Sequence, residues 1–282
     1  MEAKRNWGMR GAVMIVLCAG MVLGANIARA QEQAPQEEAK AEEPKLTATF
    51  SVDFLNQYVW RGYALSDAQK GMVIQPSATV SYRGFSLNVW GNFDTNDRTA
   101  LEMGPAWNET DFTFSYTHEL VKNLNASIGI IYYLLNNVDD SFELYAGLAY
   151  TFPWLTVGLT GYREMSHYPG WWVTLDLSKN IKLPCYDWSI DLGATFIYQD
   201  SNDRGAYPSP PKFDPFDKAY SNFHAGILSA AINFPIGKYV TISPKIGFSF
   251  PLSGEADDEI EFISWDHDST HVWGGLRVMA AF

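Results

Sequence analysis

From Phe50 to Phe282 apolar and polar residues trade places at every second position. Phe50, Val52 and Phe54 alternate with Ser51 and Asp53, and the run continues through Tyr58 and Trp60 to Arg61. Phe112, Phe114 and Tyr116 alternate with Thr113, Ser115 and Thr117. Trp188, Ile190, Leu192, Ala194, Phe196 and Tyr198 form another such face. Twelve runs can be marked, the last carrying Val272, Leu276, Val278, Ala280 and Phe282. Successive side chains of a strand point to opposite faces, so this period demands a sheet with one apolar and one polar face. In the tenth run Phe223, Ala225 and Ile227 are out of phase with Leu228, Ala230 and Ile232, a conflict that one β-bulge resolves.

The connections decide the kind of sheet. After the even-numbered runs they are short or compact: Arg83-Gly84, then residues 121–123, 151–154, 179–185 and 235–238. Several after the odd-numbered runs are longer and more polar, at 94–107, 199–218 and 251–268. Short turns at one end and long loops at the other are how outer-membrane barrels are built. An even count also puts both ends of the sheet on the short-turn side. The expected fold is all-β: a transmembrane, antiparallel, up-and-down β-barrel of 12 strands, outer-membrane type. A soluble sandwich or lipocalin-like cup shares the alternation but buries its apolar face. Here the face rich in Ser, Thr, Asn and Gly is expected to line a hydrated lumen. The aliphatic face, with Tyr and Trp near strand ends, is expected to meet lipid. A spanning sheet must close into a ring, because unpaired edge groups find no water in a bilayer.

Composition fits. Only 18% of residues are charged, below the usual quarter, while 15% are aromatic. A net charge of −12 leaves no basic stripe to neutralise phosphates, which excludes a nucleic-acid partner. Lys4, Arg5 and Arg10 precede an uncharged stretch that closes at Ala28-Arg29-Ala30. Residues 1–30 therefore read as a secretory signal peptide cleaved after Ala30, in preference to an uncleaved membrane helix. Residues 31–45, acidic and holding Pro35 and Pro44, read as a periplasmic tether, and 46–282 as one barrel domain. Cys18 and Cys185 are too few for a disulfide scaffold or a thiolate metal cluster.

The segment Leu55-Asn56-Gln57-Tyr58-Val59-Trp60-Arg61-Gly62, followed by Ser66-Asp67, resembles the first strand and loop of the TorF-like porin family. Val89-Trp90-Gly91-Asn92 is similar to that family's return strand, and Phe282 to its aromatic end. The matches cover about the first fifth of the barrel; beyond that only the strand pattern corresponds. The resemblance implies a Gram-negative outer-membrane barrel with periplasmic termini, whose last strand, ending at Phe282, is read by the barrel-assembly machinery. It implies little about the solute.

Alternation turns Asp53, Arg61, Glu143, Asp176, Asp191, Lys245 and Arg277 inward, with Trp90, Tyr133, Tyr145, Tyr162, Trp172 and Trp273 narrowing the lumen. Asp53, Arg61, Trp90, Glu143, Asp176, Asp191, Lys245 and Arg277 are the expected channel-lining set, able to set selectivity or to pair across the lumen. The expected function is passive diffusion of small polar solutes or ions. Glu255, Asp257, Asp258, Glu259, Glu261, Asp266 and Asp268 would add a negative mouth favouring cations, or a solvated rim against lipopolysaccharide. A structural or ligand-binding barrel with a plugged lumen is the alternative. An outer-membrane lipid hydrolase is a third reading, with Ser221, Asn222 and His224 as the only local trio of suitable types. They lack the His-x-Ser-Asn order of the barrel phospholipases, and no catalytic residue is assigned. Asp266, His267, Asp268 and His271 have metal-ligand chemistry without a scaffold to fix their spacing, so no metal and no cofactor is expected. The expected partners are outer-membrane lipid, lipopolysaccharide and a small polar solute, and the expected state is a monomer.

Overall fold

A computed structural model describes residues 45–97, 104–136, 138–184, 186–208 and 218–282. The expected signal peptide, the tether before Lys45, Cys18 and Cys185 lie outside these. Twelve strands form a closed antiparallel barrel. In chain order they are β1 (Thr47–Leu55), β4 (Val73–Tyr82), β5 (Phe85–Asp97), β6 (Gly104–Val121), β7 (Leu124–Leu135) and β8 (Ser141–Thr151). The second half holds β9 (Thr156–Glu164), β10 (Gly170–Lys182), β11 (Ser189–Ser201), β12 (Ser221–Ile236), β13 (Val240–Pro251) and β14 (His271–Ala281). Each pairs with the next, and β14 returns to β1 with Arg277 opposite Asp53. Backbone bonds between Ala48 and Phe282 finish the seam. The ring is all-β and up-and-down, with no free edge.

The alternation does what the pattern demands. On β7, Ile131, Tyr133 and Leu135 are buried while Ile130, Tyr132 and Leu134 stand exposed outside, although all six are apolar or aromatic. Around the ring Phe50, Leu87, Phe114, Leu148, Leu159, Leu192, Ile246 and Val272 are exposed on the outer face. A continuous belt of that kind far exceeds the apolar patches of soluble monomers and suits hydrocarbon. The soluble-cup reading, which buries this face, is set aside. No helix among the described residues is long and apolar enough to cross a membrane, which says nothing of a strand-built span. The β-bulge falls opposite Phe196 and Tyr198, where β12 shifts register between Phe223 and Gly226.

Two expectations need correction. β1 stops at Leu55; Tyr58 and Trp60 do not extend it. The chain turns into the barrel instead, forming a hairpin of β2 (Val59–Trp60) and β3 (Tyr63–Ala64). Its central residues, Arg61 and Gly62, both have positive φ (45° and 105°), the demand of a two-residue hairpin turn. Gly62 is required for contact too, since a Cβ there would lie 2.7 Å from that of Ala225. The second correction concerns 251–268, which is not an open acidic loop. It holds helix α1 (Gly254–Ile263), whose start is capped by the Ser253 hydroxyl accepting from the Ala256 N–H. Glu255 and Asp257 suit the positive end of the helix dipole in its first turn. Ala256, Glu259, Ile260 and Ile263 form its buried face, spaced at the helical repeat.

Candidate functional site

The hairpin and α1 divide the lumen in two. From the hairpin to the short-turn rim runs a chamber of about 1100 Å³. Thr79, Asn88, Thr113, Ser115, Ser127 and Thr160 are among the small polar residues of its walls. Tyr58, Val59 and Trp60 close its inner end beside Trp90, Tyr145, Tyr162 and Trp273. Beyond them, towards the long loops, Tyr63, Tyr207, Tyr220 and Ile260 are buried in one packed cluster.

One ion pair holds the hairpin tip. Arg61 Nη1 and Nη2 donate to the two carboxylate oxygens of Glu143 at 2.7 and 2.9 Å, and Tyr133 Oη donates to the same carboxylate at 2.8 Å. Arg61 and Glu143 are both buried. The guanidinium also lies 4.6–4.9 Å from the ring centres of Trp60, Tyr162 and Trp172. Burial works against the Arg61 charge, but Glu143 outweighs it and holds the guanidinium more firmly protonated than usual. Arginine is chosen here because its planar fork fits a carboxylate while its faces stack on rings.

The rest of the hairpin is clamped by its own loop and by α1. Tyr58 N–H donates to Ser66 Oγ, Leu65 N–H to the Tyr58 carbonyl, and Gln57 Nε2 to Asp266 at 2.7 Å. Ala64 N–H donates to Ser264 Oγ, and Trp265 N–H to the Ala64 carbonyl. Tyr63 packs on His224 and Tyr207 and donates to Gln199 at 3.0 Å. Burial acts to raise the Asp266 carboxyl, yet bonds from His271, Gln57 and the Asp268 N–H prevail and hold it below its ordinary value. Burial alone pushes the Glu259 carboxyl on α1 well above its own.

Of the eight residues expected to line a channel, Asp53, Trp90, Asp176, Lys245 and Arg277 face the chamber. Asp53 accepts from Arg277 Nε at 2.6 Å, Arg277 Nη2 at 2.7 Å and Lys245 Nζ at 3.1 Å. Asp176 accepts from Thr174 and Thr195. Asp191 accepts from Asn180 and Asn233 at the turn end of β11 and β12. Glu143 stands on the wall, but under the hairpin. Arg61 is no wall residue at all; it reaches Glu143 from the hairpin turn because β1 has already ended.

The trio considered for hydrolysis is dispersed. Ser221 bonds Tyr198, Asn222 donates to Glu255, and buried His224 bonds Tyr220 inside the barrel. Among the described residues no three His, Cys, Asp or Glu side chains converge to hold a metal ion, and the His271–Asp266 contact of 3.2 Å is a pair only. Ser264 and Ile260 escaped the sequence reading, while Glu259 entered it only as part of a negative mouth and Gln57 only within the segment Leu55 to Gly62. A signal existed for the helix, since Ser253 followed by Glu255 and Asp257 marks a helix start.

No protein-family model matches the chain, and no curated protein does. Among solved structures it is similar to the NanC porin, at 9% identity and TM-score 0.50 over 84% of this chain and 98% of that one. It is also similar to the KdgM porin, at 10% identity and TM-score 0.47 over 84% and 98%. An outer membrane channel from Pseudomonas putida F1 matches at 12% identity and TM-score 0.45, over 89% and 100%. These matches do not single out the TorF-like family. At such identities the likeness is one of fold alone, a closed antiparallel β-barrel.

Proposed function

We propose that this chain is a gated outer-membrane channel for small polar solutes, with its turns and both barrel ends in the periplasm. One observation carries the reading: a chamber walled by hydroxyls and amides is shut at one end by a hairpin whose tip hangs on a single buried ion pair. A barrel built only for rigidity has no use for so large a chamber, and an open porin has no use for the latch. Asp53, Trp90, Asp176, Lys245 and Arg277 then line the path, with Asp191 beside them, and Arg61 and Glu143 act as gate residues. The exposed acids Glu255, Asp257 and Glu261 favour cations at the outer entrance. The lipid-facing belt continues round the barrel, which supports a monomer in outer-membrane lipid and lipopolysaccharide.

The test is single-channel recording in planar bilayers. Folded protein lacking residues 1–30 is compared with a variant whose residues 57–65 are replaced by a Gly/Ser linker of equal length. The native chain is expected to be mainly closed, and the linker variant to open stably with cation preference. A linker variant that folds and stays silent would favour the plugged structural barrel and overturn the channel.

A further inference from the structure

The closed end of the barrel contains a carboxyl group with nothing to bind. Glu259 lies on the inner face of α1, is wholly buried, and among the described residues neither of its carboxyl oxygens has a hydrogen-bond partner. An isolated carboxylate is among the most unfavourable groups to bury, and taking up a proton removes the charge.

Among the described residues its surroundings offer no cation to replace that proton. From the hairpin Tyr63 faces it, and from the segment entering β12 Tyr220 does, while His224 packs against both rings and Tyr207 against Tyr63. Residues 246–251 of β13, the other strand against α1, carry no titratable side chain. On α1 itself Glu255 accepts from Asn222, and past its end Asp266 is engaged with His271 and Gln57. Arg61 is committed to Glu143. The same helix joins the hairpin through Ser264 and Trp265, and Ile260 lies against Gly62. Whatever lifts α1 therefore loosens the hairpin.

We propose that Glu259 is the proton-sensitive catch of the gate: protonated, it lets α1 lie on the hairpin and keeps the lumen shut; ionised, it drives α1 into water and frees the hairpin. The inference rests on the gated reading above. Its direction follows from linkage. The carboxyl is held above its ordinary value of about 4.5 when α1 is docked and returns to it when α1 is free. Closure is then favoured most below that ordinary value and is lost as pH rises towards the docked one. One linked proton changes the open-to-closed ratio at most about tenfold per pH unit.

Two readouts test this. Open probability of the native chain is recorded against pH beside Glu259→Gln and His224→Gln. In parallel, maleimide labelling of Ile263→Cys in a Cys185→Ser background, normalised to the unfolded chain, follows undocking of α1. Opening and labelling that both rise with pH, persist in His224→Gln and flatten in Glu259→Gln are the expected result. A flat native profile, or a slope that survives in Glu259→Gln, overturns the proposal. Silence of the hairpin-replaced variant overturns the channel reading, and the catch as a gate with it, even if labelling still follows pH.

Discussion

Replacing Glu143 by Gln should release the hairpin without opening the β-ladder. Arg61 makes two charge-assisted bonds to Glu143, at 2.7 and 2.9 Å, in a buried site. Removing one member of a buried pair costs about 3–5 kcal/mol, because a charge is left behind. Part of that is offset. Three aromatic rings still surround the guanidinium, worth about 1–2 kcal/mol at such a site. Gln also keeps one acceptor oxygen. A net loss of about 1–4 kcal/mol from the closed state corresponds to roughly a 5- to 700-fold change in the open-to-closed ratio. The assay is single-channel open probability, with the heat-modified shift on a gel confirming the folded barrel. Replacing both partners, Arg61→Met with Glu143→Leu, should restore much of the closure, since no buried charge is then left unpaired. A Glu143→Gln protein as folded and as closed as the native one would refute the latch. A double variant as open as the single one would locate the cost in shape, not charge.

Three further perturbations follow from the same geometry. Gly62→Ala places a Cβ 2.7 Å from that of Ala225 at a φ of +105°, so it should destabilise the closed hairpin by about 1–3 kcal/mol; raised open probability with an unchanged barrel melting temperature is the expected pair of results. Asp53→Asn strips Arg277 and Lys245 of their shared carboxylate, adding one positive charge to the chamber. Measured in the hairpin-replaced variant, the reversal potential should move towards anions, and no movement would remove Asp53 from the conducting path. A cysteine at exposed Glu261 should react with an impermeant maleimide on intact Gram-negative cells, while one at exposed Lys238 should not; the opposite result would invert the barrel.

The barrel was legible because each strand repeats its message many times. A dozen alternating runs and two classes of connection agree, so an error in one strand boundary leaves the ring intact. The hairpin was illegible for the same reason. Tyr58 and Trp60 continue the phase of Phe50, Val52 and Phe54, and a period of two cannot tell a strand that spans from one that turns inward. Only the positive φ at Arg61 and Gly62 separates them, and Arg is not a residue that announces it. The acids of 251–268 misled differently. Charge suggested water, whereas the spacing of Ala256, Glu259, Ile260 and Ile263 sets them on one helical face, which takes Glu259 in with its apolar neighbours. For Asp53, Lys245 and Arg277, alternation gave the common inward face, while their contacts needed the register that brings β1, β13 and β14 together.

The chamber reaches the rim on the side of the short turns and stops at the hairpin on the other. On the proposed gated reading, its contents in the closed state equilibrate with one compartment alone, like an airlock with one door ajar. Crossing then involves a single large barrier of equal height in both directions, but the chamber adds a reservoir on one side of it only. A solute from the turn side waits behind it already inside, at the concentration of its own compartment. One from the loop side waits for the same opening outside, in open solution.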